Sequence, residues 1–261
     1  MNESRLISVS VVSHGQAALV DTLLSDLAKH VKTPLEVVLT VNIPERLPFD
    51  PDRLVLPVRV LTNPKPKGFG ANHNAAFRET RCRYFCVLNP DIRFESDPFP
   101  TLVDCLSDPR LGVAAPLIRD PTGSVEDSAR RFPTPWKLLH KALIGSGLDY
   151  ATDTDIIYPD WVAGMFMIFP RSAFAEIGGF DERYFLYYED VDLCARLAAA
   201  GRRVAVCPKA SAVHAARRES RRSLRYLRWH LSSMLRFFLR HPAAGRRSGA
   251  GEASGASDGR D

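Results

Sequence analysis

A carboxylate placed to take a proton and another placed to hold a cation are the chemistry this sequence offers most clearly. Residues 185–196 read Phe-Leu-Tyr-Tyr-Glu-Asp-Val-Asp-Leu-Cys-Ala-Arg and set Glu189, Asp190 and Asp192 after an aromatic run. They open a segment expected to be helical through Ala200 and closed by Gly201. Acidic side chains also suit the unpaired N–H groups and positive dipole end of any helix start, so position alone does not make them catalytic. A second acidic motif, Asn89-Pro90-Asp91, follows the apolar run at 84–88. Its carboxylate is expected at the carboxyl end of a buried strand, the edge where open α/β sheets bind ligands. A carboxylate there suits Mg²⁺ or Mn²⁺, which prefer oxygen ligands and leave positions for a diphosphate. His214, expected just beyond a late strand at 203–207, can reach the same edge and is a further candidate ligand, although a lone histidine is more often structural.

Two other patterns are ambiguous between binding and packing. Gly68-Phe69-Gly70 lacks a third glycine and a preceding strand, so it fails as a dinucleotide fingerprint. It reads either as a loop closing over a phosphate-bearing ligand, with Asn72 and Asn74 on the helix that follows, or as an ordinary glycine turn. In Asp160-Trp161-Val162-Ala163-Gly164, a broad ring precedes a glycine that permits close backbone approach. Trp161 is a candidate for stacking on a sugar, while Val162, Met165 and Met167 read as strand core. No Gly-x4-Gly-Lys-Ser/Thr loop and no Gly-x-Ser-x-Gly elbow occurs, which disfavours a nucleoside triphosphatase and a serine hydrolase.

The elements that must position these groups alternate through the first half. Strands are expected at 6–12, 35–41, 58–61 and 84–88, with helices at 17–31 and 70–80; the first helix repeats Leu19, Leu23, Leu24, Leu27 and Val31 at helical spacing. This alternation implies a mostly parallel α/β sheet flanked by helices. The second half is less regular: a long excursion at 119–160 with a helical part at 136–145, a strand at 160–169, and a late strand at 203–207. Residues 221–240 repeat arginine among leucines and form an amphipathic, basic helix. The chain is expected to fold as one domain over 1–242, with halves at 1–115 and 116–215 and the basic helix at 216–242. The Gly/Ser/Ala-rich tail at 243–261 is expected to be disordered.

Of 261 residues, 45% are apolar, enough for a substantial core. The net charge of +5 hides an asymmetry: residues 217–247 hold ten arginines and one glutamate, so the remainder is net acidic. Aromatics in that basic segment fall among leucines at helical spacing, which suits burial or a membrane surface better than base stacking, and no nucleic-acid partner is expected. Five scattered cysteines fit free thiols in a reducing compartment, and no run approaches the length needed to span a bilayer.

Six motifs in order resemble family 2 glycosyltransferases of the GT-A fold: Val12-Ser13-His14-Gly15, Gly68-Phe69-Gly70-x-Asn72-x-Asn74, Asn89-Pro90-Asp91, Asp160-Trp161-x-Ala163-Gly164, Gly179-Phe180-Asp181-x-x-Tyr184-Phe185 and Tyr188-Glu189-Asp190-x-Asp192-Leu193. The resemblance extends from about residue 6 to 240, including Arg228-Trp229-His230-Leu231, and is nearest to bacterial rhamnosyltransferases of O-antigen and cell-wall assembly. It implies inverting sugar transfer from a nucleotide diphosphate donor, most simply dTDP-rhamnose, to a saccharide on a polyprenyl diphosphate. The enzyme would be cytoplasmic and peripheral at the inner face of the membrane, with an anionic surface as partner. Under this resemblance Asp190 is the base, Asp91 and His214 hold Mg²⁺ or Mn²⁺, and Ser13, Asn42, Gly68, Gly70, Asn74, Asn89 and Asp91 face the donor. Trp161, Gly164 and Glu189 face the acceptor. Two departures stand out: Val41-Asn42 replaces an Asp-Asn pair that contacts the base in many relatives, and Asn89 replaces an aspartate in the metal motif. Another donor, such as galactofuranose or N-acetylglucosamine, is the nearest alternative. A sugar-phosphate nucleotidyltransferase is disfavoured because Ser13-His14-Gly15-Gln16 lacks a basic glycine-rich loop.

Overall fold

The computed structural model describes residues 6–134, 148–152, 155–215 and 224–242; the expected helix at 136–145 and tail at 243–261 lie outside them. The first half alternates as expected: β1 (Ile7–Ser13), α1 (Ala17–His30), β2 (Leu35–Val41), β3 (Val58–Thr62), α2 (Phe69–Arg78) and β4 (Tyr84–Leu88). Then come the short β5 (Ile92–Arg93), α3 (Phe99–Cys105), β6 (Leu111–Arg119) and β7 (Ala129–Arg130). The rest comprises β8 (Trp161–Val162), β9 (Phe166–Pro170), α4 (Arg171–Glu176), α5 (Glu189–Ala199), β10 (Arg203–His214) and α6 (Leu224–Arg240).

Eight strands form one sheet in the order β3-β2-β1-β4-β9-β6-β10-β5, and β7 pairs with β8 beside it. Pairings of β1 with β2 and β4, of β2 with β3, and of β6 with β10 are parallel; β9 and β5 run against their neighbours. The sheet is therefore mostly parallel. Helices cover both faces, and β4 shows why its run is apolar throughout: side chains alternate, so Cys86 and Leu88 join one core and Phe85 and Val87 the other. In α1 the buried stripe is Ala17, Val20, Leu23, Leu24 and Leu27, at the spacing of one helix face; Leu19 is only partly buried.

Three expected boundaries shift. The strand anticipated at 160–169 is two strands, because Gly164 and Met165 turn the chain between β8, which pairs with β7, and β9, which enters the main sheet. The late strand runs past 207 to His214 across a bulge, since Ser211–Val213 resume pairing with Leu117–Arg119. His214 is thus the last residue of β10, not a residue beyond it. The line drawn between the two halves at 115/116 falls inside β6, so both halves share one sheet.

Candidate functional site

Because most strands run one way, their carboxyl ends gather the candidate residues at one edge. Asn89 leaves β4 and donates its backbone N–H to the Met165 carbonyl (2.8 Å). Three residues on, β5 pairs antiparallel with the end of β10, aligning Ile92 with His214, and the Ala215 N–H bonds the Asp91 carbonyl (2.9 Å). That pairing carries the His214 ring to Asp91: Nε2 lies 3.3 Å from Oδ2. The other ring nitrogen, Nδ1, is 2.8 Å from the Glu126 carboxylate. Burial alone would lower the His214 pKa, but hydrogen bonds to Asp91 and Glu126 outweigh it and hold the value at about 9.

These residues fit a divalent cation shared with a diphosphate. Asp91 Oδ1 is buried and has no hydrogen-bond partner, and buried carboxylate oxygens do not normally stay unpaired. A histidine whose far nitrogen is held by a carboxylate is the usual arrangement for a metal-ligating imidazole, and a cation here would displace the proton that faces Asp91. Among the described residues no group of three or more His, Cys, Asp or Glu side chains is arranged to hold a metal alone. The geometry therefore suits one carboxylate and one imidazole with phosphate oxygens completing the shell.

The acidic helix start at Glu189–Asp192 reaches the neighbouring turn. Asp190 Oδ2 accepts the Gly164 N–H (3.0 Å) and Oδ1 accepts its neighbour Val191 N–H (2.9 Å). Burial raises the Asp190 pKa, against the lowering effect of those two N–H groups and of the Arg130 charge. Gly164 and Met165 are adjacent, so a single turn ties Asp190 to the strand end that carries Asp91. The three carboxylates of the helix start differ sharply. Glu189 is buried, its Oε2 has no partner, and burial followed by the Asp190 charge pushes its pKa well up. Asp192 is fully buried too, yet its pKa is lowered: burial is outweighed by a hydrogen bond from His241 (2.8 Å) and by Arg196 (2.7 Å). Environment thus pushes the Glu189 and Asp190 values up and the Asp192 value down, and of the three Asp190 alone bonds the Gly164–Met165 turn.

Several residues expected at the ligand are engaged inside the protein instead. Ser13 is buried and its hydroxyl accepts the Gln16 N–H. The Asn42 carboxamide is used at both ends, bonding the Lys67 N–H and carbonyl, Asn63 and His14, so it shapes the loop before α2. Asn74 clasps both the N–H and the carbonyl of Phe180 (2.9 Å each). The glycines are packing positions, not a phosphate loop. A Cβ on Gly68 would sit 2.7 Å from the Phe185 carbonyl oxygen, and one on Gly70 would sit 2.6 Å from Phe180 Cβ. Trp161 is largely buried, its indole N–H bonds the Arg131 carbonyl and Arg130 covers its ring, so it is a wall and not an open sugar platform. Conversely, Glu126 and Arg130 were not anticipated. Both arrive on the 119–131 excursion, held in place by β7–β8 pairing and by the Ala163 N–H on the Ser128 carbonyl.

Residues 148–232 match the model described as glycosyltransferase like family 2, and residues 50–177 match glycosyl transferase family 2. The rhamnosyltransferase WbbL of Escherichia coli (strain K12) is 34% identical over 186 residues, covering 66% of this chain and 70% of that protein. The chain belongs to glycosyltransferase family 2. A second family member, the N-acetylglucosaminyl-diphospho-decaprenol L-rhamnosyltransferase of Mycobacterium tuberculosis, is 39% identical over 139 residues, or 49% of this chain. The match spans 45% of that protein's length. Among solved structures, GalNAc-T7 with UDP, GalNAc and Mn²⁺ superposes with a TM-score of 0.65 at 18% identity, over 82% of this chain and 44% of its own. The mannosyltransferase PcManGT of Pyrobaculum calidifontis with GDP-Man and Mn²⁺ gives 0.62 at 17% identity, over 92% and 65%. Those likenesses establish the GT-A fold, and family membership makes the chain a glycosyltransferase.

Proposed function

We propose that this glycosyltransferase moves L-rhamnose from dTDP-rhamnose, with inversion, onto a saccharide carried by a polyprenyl diphosphate. The observation that carries the chemistry is the Gly164–Met165 turn, which bonds Asp190 on one side and the Asn89 strand end on the other. The sugar is supported by both rhamnosyltransferase relatives, and the lipid-linked acceptor by the mycobacterial one. In this reading Asp190 accepts the acceptor hydroxyl's proton as that oxygen forms its bond to C1 of the sugar. The C1–oxygen bond of the donor breaks on the opposite face, and its electron pair leaves with the nucleoside diphosphate. Asp91 and His214 hold Mg²⁺ or Mn²⁺, with Glu126 orienting the imidazole; a bound cation would neutralise charge growing on the diphosphate.

The acceptor's lipid implies a surface, and α6 supplies one. Leu227, Leu231, Leu235 and Leu239 are 53%, 49%, 60% and 75% exposed and recur every fourth residue, forming one outward stripe. Ser233 and Phe237 on another face are buried, and Phe238 is partly buried against the domain. Exposed Arg228 and Arg236 flank the stripe, and α6 contains no acidic residue. Arg240, at the end of the helix, is paired with Asp181 and so is not part of this basic border. An apolar stripe bordered by arginines complements an anionic leaflet, whereas a second copy would bring like charges together. Among the described residues no helix is long and apolar enough to cross a membrane; in this proposal the stripe docks on the cytoplasmic face. The test is a donor panel (dTDP-rhamnose, UDP-galactofuranose, UDP-N-acetylglucosamine) against N-acetylglucosaminyl-diphospho-polyprenol, with and without Mn²⁺. Turnover restricted to dTDP-rhamnose is expected; preference for another sugar nucleotide overturns the donor assignment.

A further inference from the structure

Two non-glycine residues among those described have a left-handed backbone, and they are consecutive: Tyr187 (φ 69°) and Tyr188 (φ 64°). They directly precede Glu189 and Asp190. Side chains avoid this conformation because Cβ crowds the following carbonyl, so it persists only where surrounding structure imposes it. The start of α5 does not impose it: Tyr188 is the N-cap residue and its side chain makes no capping bond. The restraints come from α6. Ser233 Oγ donates to the Leu186 carbonyl (3.0 Å). The Trp229 ring stacks on Phe185 with centroids 4.6 Å apart, and His230 lies edge-on to both tyrosines at 5.3 and 5.4 Å. Phe237 packs on Tyr188 at 5.7 Å. On the other side of the same turn, the Phe185 carbonyl accepts the Phe69 N–H at the start of α2 (2.9 Å).

We infer that Ser233, assisted by Trp229 and His230, is a positioning residue for transfer: it holds the left-handed turn that aims Asp190 at the acceptor. This rests on the reading of Asp190 as the base. Ser233 is buried and touches a backbone carbonyl four residues before Asp190, so it acts through the turn and not on substrate. Losing its hydroxyl frees the Leu186 carbonyl and lets the two tyrosines relax toward ordinary backbone angles. The first turn of α5 then rotates and Asp190 departs from its alignment on Gly164. Misplacement of a reacting group on the ångström scale costs roughly 10–10²-fold in rate.

The experiment uses the full chain and the nucleotide sugar that turns over in the donor panel. Ser233→Ala is expected to lower kcat by roughly 10–10²-fold with donor affinity unchanged by calorimetry, and to displace the acid limb of the rate–pH profile. Ser233→Thr, which keeps a hydroxyl, recovers much of the rate. Tyr187→Gly in the Ser233→Ala background also recovers it, because glycine takes a positive φ without strain. A purely structural α6 would instead give Ser233→Ala a lower melting temperature with unchanged kcat and pH profile; that result, or no recovery from either companion variant, overturns the inference. Asp190→Asn is assayed alongside. If it is inactive while Ser233→Ala is unimpaired, positioning falls and the base assignment stands; if it is active, the base assignment falls and takes the positioning role with it.

Discussion

Asp190→Asn separates chemistry from fold more sharply than any other single change in this protein. The wild-type carboxylate accepts one backbone N–H on each oxygen, from Gly164 at 3.0 Å and Val191 at 2.9 Å. Asparagine offers one acceptor oxygen, so its NH₂ must face one of these donors. An unsatisfied buried N–H costs about 1–3 kcal/mol. Against that, the neutral side chain removes the burden of a buried charge, the first cause of the raised Asp190 pKa. The two effects oppose each other, and a chain of this size shifts by about 2–4 °C per kcal/mol, so the melting temperature should move by only a few degrees. The rate should fall by at least about 10²–10⁴-fold, because the amide cannot take a proton. That is about 3–5 kcal/mol of barrier. The base works only when ionised, and a raised pKa means the ionised form is lost at a higher pH than for an exposed aspartate. The acid limb of kcat/KM should therefore lie above the ordinary carboxylate range in wild type and vanish with the rate in the variant. Assays of sugar transfer across pH 4–9 by chromatography, with donor affinity by calorimetry, test this. Turnover within a few-fold of wild type, or a rate loss matched by loss of donor binding, would refute the reasoning.

Asp91→Ala should abolish the Mn²⁺-dependent part of donor affinity, and Glu126→Ala should weaken Mn²⁺ binding by roughly 10–100-fold; calorimetry with Mn²⁺ and dTDP reads both, and an unchanged affinity removes the residue from the site. Asp181 has its pKa held down to about 2, chiefly by the Arg183 hydrogen bond. A depressed carboxylate stabilises the fold above its unfolded value near ~3.9, and that contribution disappears as pH falls through about 2. Denaturant midpoints between pH 5 and pH 2 (about the interval spanned by those two values) should accordingly decline more steeply for wild type than for Asp181→Asn. Replacing Leu227, Leu231, Leu235 and Leu239 by glutamine should change stability by less than about 0.5 kcal/mol per site, as expected of exposed positions, while releasing the protein from phosphatidylglycerol-containing vesicles. Retained cosedimentation would exclude the stripe as the docking surface.

Local pattern was enough where local physics decides the outcome. The strand at 84–88 appears at those limits because a run apolar on both faces lies inside a sheet covered by helices, and the strand at 35–41 because Leu35, Val37, Leu39 and Val41 line one buried face. The turn residues and acidic starts of Asn89–Asp91 and Glu189–Asp192 likewise mark where strand and helix change over. What escaped was long-range. Glu126 and Arg130 sit in a stretch with no clear period: the Glu126 N–H returns to the Ile118 carbonyl at the end of β6, and Arg130 is placed where two residues of β7 find two of β8 more than thirty positions later. A two-residue strand leaves no sequence signal of its own.

The asparagines mislead for a related reason. Asn42, Asn63, Asn72 and Asn74 have the donor and acceptor groups that a nucleotide would require, but the same groups serve equally to satisfy buried backbone where loops cross the sheet edge. Asn42 Oδ1 accepts both the Lys67 N–H and the Asn63 amide, and Asn63 passes a second bond to Asn72 at 2.6 Å. A carboxamide so fully bonded has no capacity left for a ligand. Asp91 Oδ1 and Glu189 Oε2 are the reverse case, buried and unpaired at this edge. Unused polar capacity at this edge thus belongs to Asp91 and Glu189, whereas both Asp190 oxygens are already bonded; under the proposed function Asp91 would face the diphosphate and Asp190 the acceptor, with the Gly164–Met165 turn linking the two.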